Sequence, residues 1–169
     1  IDQYPTYPWN DKYISSNPNI SSNYILNNGK KRNWSMAQVS SNKGITERDI
    51  YKNILPFEYL NLSSNPNLPA KYVYDNLNYN WNMYEVSSNS NITLVDVESF
   101  HAIPWDYWAL SINKNININY VLNHSHNLWS IQLLLTNSAI TLVDIYNNFE
   151  YFNTVENKEK YMCSNPNIT

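Results

Sequence analysis

The chain has 169 residues, a formal net charge of −3 and a sequence pI near 5.5. A net negative charge gives no overall attraction to phosphate backbones or anionic lipids, so the composition disfavours nucleic-acid and membrane-surface partners. The single cysteine, Cys163, excludes an internal disulfide framework. The sequence contains no run of about 18 apolar residues, so no transmembrane helix is predicted.

A short polar motif recurs along the chain. It reads SSNPNI at 15–20, SSNPNL at 63–68 and CSNPNIT at 163–169, and four weaker copies share its layout. The central asparagines of the seven copies, separated by 25, 23, 24, 24, 24 and 28 residues, are Asn17, Asn42, Asn65, Asn89, Asn113, Asn137 and Asn165. This fixed short period predicts a single tandem repeat array over residues 1–169. Because the chain opens inside one repeat, we expect it to be an excerpt of a longer array.

Apolar residues keep fixed distances from these asparagines. The position eight residues before is aromatic in six repeats, namely Trp9, Trp34, Phe57, Trp81, Trp105 and Trp129. The position three residues after is aliphatic, namely Ile20, Ile45, Leu68, Ile92, Ile116 and Ile140. Such a constant phase indicates a folded core, although 31 of the residues are asparagine. A stacking ladder for bases or sugars is the alternative role of the tryptophans, but their aliphatic partners favour the core.

Each repeat is predicted to form two short helices. A short polar residue follows the aromatic position, and most of these residues are good N-caps, so the aromatic and a later aliphatic side chain can form a hydrophobic staple. A second cap follows the isoleucine position: Ser21, Thr46, Thr93, Asn117 and Thr141, with Pro69 in the third repeat. The expected fold is an all-α solenoid of about seven helix-turn-helix repeats of about 24 residues each.

The recurring motif itself is expected to end the first helix of each repeat. Asparagine tolerates the left-handed backbone conformation better than any residue except glycine, so the seven central asparagines are predicted to form left-handed helix corners. Pro18, Pro66 and Pro166 then prevent the helix from continuing.

A slower alternation underlies the repeats, which we number one to seven by their central asparagines. Even repeats carry an aspartate at the third position of the second helix, where it can complete a capping box: Asp49, Asp96 and Asp144. Odd repeats carry a tyrosine there: Tyr24, Tyr72 and Tyr120. This pattern predicts a double repeat of about 48 residues. The seventh repeat departs from it, because Asn157 holds the aromatic position, and Phe152 can replace the aromatic if that helix is one turn longer.

Written as W-x4-[ILV]-S-S-N-P-N-I-T, the chain resembles the asparagine-rich tandem-repeat proteins encoded by giant DNA viruses of the mimivirus type. The stretches WNDKYISSNPNI, WNMYEVSSNSNIT and WDYWALSINKNI carry this resemblance, which covers essentially all 169 residues. The resemblance implies a viral protein made in the cytoplasm of an infected cell, and it implies no catalytic residue. Another AT-rich genome is the alternative source, since asparagine and tyrosine codons are AT-rich.

Histidines supply the only candidates for metal binding or acid–base chemistry. His124 and His126 suit a metal, but other repeats have asparagine at the position of His124, which favours a structural role. His101 near Glu98 and Asp96 suits an acid–base pair, but Asp96 already has a capping role.

Two further features are also interpreted as structural. Cys163 replaces a repeat serine, and Lys30-Lys31-Arg32 lies in an interior linker with no basic counterpart in other repeats. We therefore predict no catalytic residue, metal or cofactor.

Tyrosine supplies the candidate partner-binding positions, because partly exposed tyrosines are good anchors in protein interfaces. Six tyrosines share an offset or lie near exposed positions of first helices: Tyr51, Tyr74, Tyr146, Tyr59, Tyr84 and Tyr107. Filling of the seams between helices is the alternative role for most of them.

The repeat organisation predicts a non-enzymatic scaffold that binds a viral or host protein through variable positions on a uniform frame. A structural component of a virus particle, associating with itself or with capsid proteins, is the alternative. An RNA-reading array is a third, and the small number of lysines and arginines disfavours it. The expected location is the host cytoplasm or the virion.

Overall fold

The structure, a computed structural model, describes residues 1–4 and 6–168. Within these residues it contains fourteen short α-helices and no β-strand, and the helices recur with the period of the motif. The predicted all-α class and the spacing near 24 residues are therefore confirmed. The chain divides into two compact bodies, Ile1–Asn82 and Met83–Thr169, which we call the N-terminal and C-terminal bodies.

The N-terminal body contains three helix pairs. Its helices are α1 (Asp11–Ser15), α2 (Ser22–Asn27), α3 (Met36–Ser41), α4 (Glu47–Lys52), α5 (Tyr59–Leu62) and α6 (Ala70–Asp75). The first helices of successive repeats pack on one another, α1 on α3 and α3 on α5.

The C-terminal body contains three more pairs and two additional helices. These are α7 (Met83–Ser88), α8 (Leu94–Ser99), α9 (Tyr107–Leu110), α10 (Ile118–Asn123), α11 (Ile131–Thr136), α12 (Leu142–Asn147), α13 (Phe149–Phe152) and α14 (Lys158–Met162). Here α7 packs on α9, α11 on α14, and α12 against α13.

The second helices begin at the predicted caps. The side chains of Ser21 and Asn117 accept the backbone N–H of Tyr24 and Tyr120. In the even repeats a threonine and an aspartate exchange hydrogen bonds as full capping boxes: Thr46 with Asp49, Thr93 with Asp96, and Thr141 with Asp144. Each second helix has six residues, and the cap side chain satisfies one of the four N–H groups left free at its start, except in α6, where Pro69 makes no side-chain cap bond.

The aliphatic positions of the repeats form the buried core of each body. In the first six repeats, the residues three before, three after and eight after the central asparagine are all buried. Each such side chain stabilises the fold by roughly 1.5–3 kcal/mol relative to an exposed one. The aromatic position is less uniform, because Phe57, Trp81 and Trp105 are buried whereas Trp9, Trp34 and Trp129 are half-buried.

The central asparagines do not turn the chain in the left-handed conformation. Asn42 and Asn137, the C-caps of α3 and α11, are extended, with φ of −73° and −78°. The residues with positive φ in the described chain are Asn53 and Asn157, neither of which belongs to the motif. The corners lie where predicted, but the predicted backbone conformation is wrong.

The side chains of these asparagines bridge successive repeats instead. Each central side-chain oxygen accepts the backbone N–H two residues later, which fixes the side chain across the turn. The side-chain N–H₂ donates to backbone carbonyls of the preceding repeat. Asn42 donates to Ser15 and Asn17, Asn65 to Ser40 and Asn42, Asn113 to Ser87 and Asn89, Asn137 to Ser111 and Asn113, and Asn165 to Asn137 and Ile140. We call this series of bonds the asparagine ladder.

In the first five repeats, a buried serine two residues before the central asparagine makes a second bridge to the next repeat. The hydroxyl oxygens of Ser15, Ser40, Ser63, Ser87 and Ser111 each accept the N–H of the residue preceding the first helix of the next repeat, at 2.9–3.0 Å. Ser35 and Glu58 make no side-chain cap bond, and this serine contact holds their backbone instead.

The last repeat departs from the pattern where this serine is missing. In the sixth repeat this position is Leu135, which is fully buried. Because leucine has no hydroxyl, the backbone N–H at the next cap has no serine oxygen to bond to. Asn157, at the next cap, is left-handed with φ of 54°. Phe152 does become buried, but it belongs to the separate helix α13 and not to a longer α14. The condition under which Phe152 was expected to replace the aromatic, a longer helix, is therefore not met.

Candidate functional site

Aromatic side chains concentrate where an odd repeat meets the following even repeat. In the N-terminal body, the rings of Tyr59 and Tyr72 pack edge-on against Trp81, with centroids 5.1 and 6.2 Å away. Tyr79 stacks on Tyr59 at 4.0 Å. The Trp81 indole N–H donates to the Asn76 carbonyl at 2.9 Å, so this tryptophan is fully engaged within the fold.

The same arrangement recurs in the C-terminal body. Tyr107 and Tyr120 lie edge-on to Trp129 at 5.1 and 6.1 Å, and the Trp129 indole N–H donates to the His124 carbonyl. The His124 ring stacks on Tyr120 with centroids 4.1 Å apart. This recurrence after two repeats gives the alternation of odd and even repeats a physical basis in side-chain packing.

The six candidate tyrosines occupy two kinds of environment. Tyr51, Tyr74, Tyr84 and Tyr146 are exposed, and Tyr146 is the most open at 80 %. Tyr59 and Tyr107 are instead half-buried by their contacts with Trp81 and Trp129. Burial raises the pKa of Tyr59, and hydrogen bonding and electrostatic contact with Tyr72 and Tyr79 raise it further. We call the two clusters, Tyr59–Tyr72–Tyr79–Trp81 and Tyr107–Tyr120–His124–Trp129, the first and second aromatic seams. Tyr59 and Tyr107 are thus part of these seams.

A cavity of about 420 Å³ opens in the C-terminal body beside the second seam. Its lining includes Glu98, His101, Trp105, Tyr107, Tyr120 and His124. Burial raises the pKa of Tyr120 to about 12, with further contributions from Tyr107 and from the negative charge of Glu98. The cavity therefore combines aromatic walls with a carboxylate.

Trp105 lines this cavity, and its indole nitrogen lies buried beneath the surface. Only 9 % of the residue is exposed, and its indole N–H is buried without a hydrogen-bond partner among the described residues. Burying an amide-like donor without an acceptor costs about 1–3 kcal/mol. An exposed apolar groove of about 550 Å³ adjoins the same tryptophan and is lined by Trp108 and Leu128.

Comparison of the repeats explains why the cavity exists. The sixth residue of the second-helix segment, counted from the cap, is Leu26, Tyr51, Tyr74, Glu98, Leu122 or Tyr146 in successive repeats. Tyr51 packs edge-on against Tyr72 at 5.7 Å in the N-terminal body. Glu98 takes that position beside Tyr120, and the smaller, charged side chain leaves the space open. This site was not predicted from the sequence, although Glu98, the one charged residue at a position that is tyrosine or leucine in the other repeats, was a signal for it.

The remaining candidates stay apart from one another. Within the described residues no group of three or more histidine, cysteine, aspartate or glutamate side chains is arranged to hold a metal ion. Cys163 is exposed. Arg32 pairs with Asp11 at 2.9 Å, and the Asn33 N–H together with this arginine holds the pKa of Asp11 below its usual value. The arginine of the basic linker therefore has a structural partner.

Comparison with protein-family models gave no match, and comparisons with curated proteins and with solved structures gave no similar chain. None of the described helices combines the length and the apolar character that crossing a membrane requires.

Proposed function

We propose that the chain is a non-enzymatic repeat scaffold, built as an α-helical solenoid, that binds a viral or host protein. One observation carries the proposal: Tyr51, Tyr74 and Tyr146 are exposed at equivalent positions of second helices whose buried positions stay constant. A constant frame with variable exposed aromatic residues suits protein recognition, since tyrosine provides large contact area at low conformational cost.

The ladder supports this proposal because it separates the requirements of folding from those of binding. The asparagine and serine bridges use the motif residues, which leaves the outer faces of the second helices free to differ between repeats. The resemblance to repeat proteins of giant DNA viruses makes the cytoplasm of the infected cell the proposed setting.

Affinity capture from infected cells tests the proposal. The triple variant Tyr51→Ser, Tyr74→Ser, Tyr146→Ser should lose a protein that the unaltered chain captures. The control changes the exposed polar residue that follows each tyrosine, Lys52→Ala, Asp75→Ala and Asn147→Ala, and should retain it. Circular dichroism establishes that both variants keep their helicity. Equal capture by all three proteins would contradict binding through these tyrosines.

A structural component of a virus particle is the second candidate. Exposed aliphatic side chains favour it, because Val95, Leu128 and Val143 are each more than three-fifths exposed and would be covered in a dense assembly. Mass spectrometry of purified particles tests this candidate. Stoichiometric recovery in particles supports it, whereas absence from particles excludes it.

A further inference from the structure

The C-terminal body has a charge that differs from that of the rest of the chain. Residues 83–169 contain three lysines and no arginine against eight acidic residues, which gives −5. Residues 1–82 contain eight basic and six acidic residues, which gives +2. The cavity lined by Glu98 and Trp105 therefore lies in a body that attracts cations.

Glu98 is available to a partner. Asp96, two residues earlier, is used by the capping box with Thr93, but the Glu98 carboxylate makes no ion pair within the described chain. The residues that line the cavity include no lysine or arginine. Aromatic rings of Tyr107 and Tyr120 stand beside this carboxylate, and a cation over an aromatic face is attracted by the ring.

Trp105 also lines the cavity, and its buried indole N–H has no hydrogen-bond partner among the described residues, so its resonance can report on an occupant. A basic side chain of a peptide supplies the positive charge that Glu98 and the two aromatic rings attract. Arginine fits best, because its planar guanidinium stacks on aromatic rings and pairs with a carboxylate through two hydrogen bonds.

We propose that this cavity binds an arginine-bearing segment of a partner protein, with the guanidinium at Glu98 and beside the rings of Tyr107 and Tyr120. The inference rests on the proposed protein-binding function and names the chemistry of the partner at one place. The repeats themselves supply matched variants: Phe57 occupies the position of Trp105 two repeats earlier, and Tyr51 occupies that of Glu98.

Nuclear magnetic resonance of the tryptophan indole N–H groups tests the proposal on the purified, full chain. The probe is N-acetyl-arginine-N-methylamide, which carries one guanidinium and flanking carbonyls, and N-acetyl-norleucine-N-methylamide is the neutral control. The Trp105→Phe variant assigns the Trp105 signal. We expect that signal to shift saturably with the arginine probe and not with the neutral one. Trp34, whose indole N–H is also buried and unpaired, lies beside Arg32 and should not respond.

Removing the negative charge should weaken the binding. Glu98→Gln is expected to raise the dissociation constant of the arginine probe about tenfold, because a charge-assisted hydrogen-bonded pair is lost. Glu98→Tyr should abolish the response by filling the cavity as Tyr51 does. An equal shift with the neutral probe, or an unchanged dissociation constant in Glu98→Gln, would overturn the proposal. So would a Trp105 shift that depends only on protein concentration, since the occupant would then be a second copy of the chain.

These results are separable from the test of the proposed function. The triple tyrosine variant leaves the cavity residues intact, and the probe experiment uses no cell extract. If the captured protein is lost in the triple tyrosine variant but the arginine probe does not shift the Trp105 signal, only the proposed arginine site is overturned. A Trp105 response without any captured protein would instead contradict the scaffold function.

Discussion

The side-chain nitrogen of Asn65 lies 2.7 Å from the backbone oxygen of Ser40, a residue of the preceding repeat. The same nitrogen donates to the Asn42 oxygen at 3.0 Å, and Asn65 is fully buried. One side chain therefore bonds to two carbonyls at the end of the first helix of the neighbouring repeat, and the Asn42 oxygen also accepts the Ile45 N–H. The recurring motif is a bridge between repeats as well as a turn within one.

The serine bridge predicts unequal effects of two adjacent substitutions. Ser63→Ala removes the acceptor of the Asn82 N–H from a fully buried site and should lower the free energy of unfolding by about 1–3 kcal/mol. Ser64→Ala removes only a local bond to Asn61 at the surface and should change it by less than about 0.5 kcal/mol. Urea denaturation of both variants checks the prediction. Equal losses would show that the Ser63 hydroxyl does not join the repeats.

The capping box of the second repeat predicts a pH dependence. Burial opposes ionisation of Asp49, but the hydrogen bonds from the Thr46 N–H and hydroxyl outweigh it, so the pKa of Asp49 lies below its ordinary value of 3.8. A lowered folded-state pKa stabilises the fold above the unfolded-state pKa, and this stabilisation is lost as the pH falls through the folded-state value.

Asp49→Asn should therefore destabilise the chain by about 1 kcal/mol near neutral pH. The difference from the unaltered chain should shrink as the pH falls below 3.8. Chemical denaturation at a series of pH values measures it. A difference that stays constant into acid would mean that the Asp49 charge contributes nothing to the cap.

Two tryptophans of nearly equal burial are expected to lose different amounts of stability when each is replaced by phenylalanine. Trp81 and Trp105 are 8 % and 9 % exposed, but only Trp81 has an acceptor for its indole N–H. Trp81→Phe should cost about 0.5–1.5 kcal/mol more than Trp105→Phe, because it removes a hydrogen bond to the Asn76 carbonyl, which then keeps only the bond from the Tyr79 N–H. Thermal or urea denaturation of the two variants measures the difference. A larger loss in Trp105→Phe would indicate that the Trp105 indole N–H is bonded after all.

Close approach of successive repeats predicts sensitivity at Gly44. A Cβ atom there would lie 2.5 Å from the Pro18 oxygen and 2.9 Å from the Ile20 oxygen, so the backbones must move apart. Gly44→Ala should cost about 1–3 kcal/mol. Gly29→Ala is the control, because its Cβ would meet nothing closer than 3.5 Å, and its stability should stay within about 1 kcal/mol. Equal stability of the two variants, measured by urea denaturation, would contradict the close approach.

Much of the fold follows from local rules that the sequence displays. The caps of the second helices, such as Thr46 with Asp49, involve residues three positions apart, so spacing alone identifies them. The buried aliphatic positions are visible because they keep a constant distance from the central asparagines. The period of the repeats and the pairing of short helices could therefore be predicted without coordinates.

The role of the central asparagine could not be predicted, because it depends on atoms about 24 residues away. A left-handed turn and a side-chain bridge both favour asparagine, and only the position of Ser40 relative to Asn65 distinguishes them. One signal pointed the right way: none of the seven corner positions is glycine, which a left-handed corner would accept most readily. The cavity beside Trp105 was missed for a similar reason, since it arises from Glu98 at a position that other repeats fill with tyrosine or leucine.

The asparagine ladder is tested most directly by one isosteric substitution at two places. Asn65→Asp keeps the acceptor for the Asn67 N–H but replaces the bridging donor with an oxygen that faces two carbonyls, and should lower the free energy of unfolding by about 2–5 kcal/mol. Asn17→Asp makes the same change at an exposed motif position and should cost less than about 1 kcal/mol. Urea denaturation of both variants near neutral pH is the measurement. A large loss confined to Asn65→Asp is the predicted result, and equal losses in the two variants would contradict a bridge between repeats.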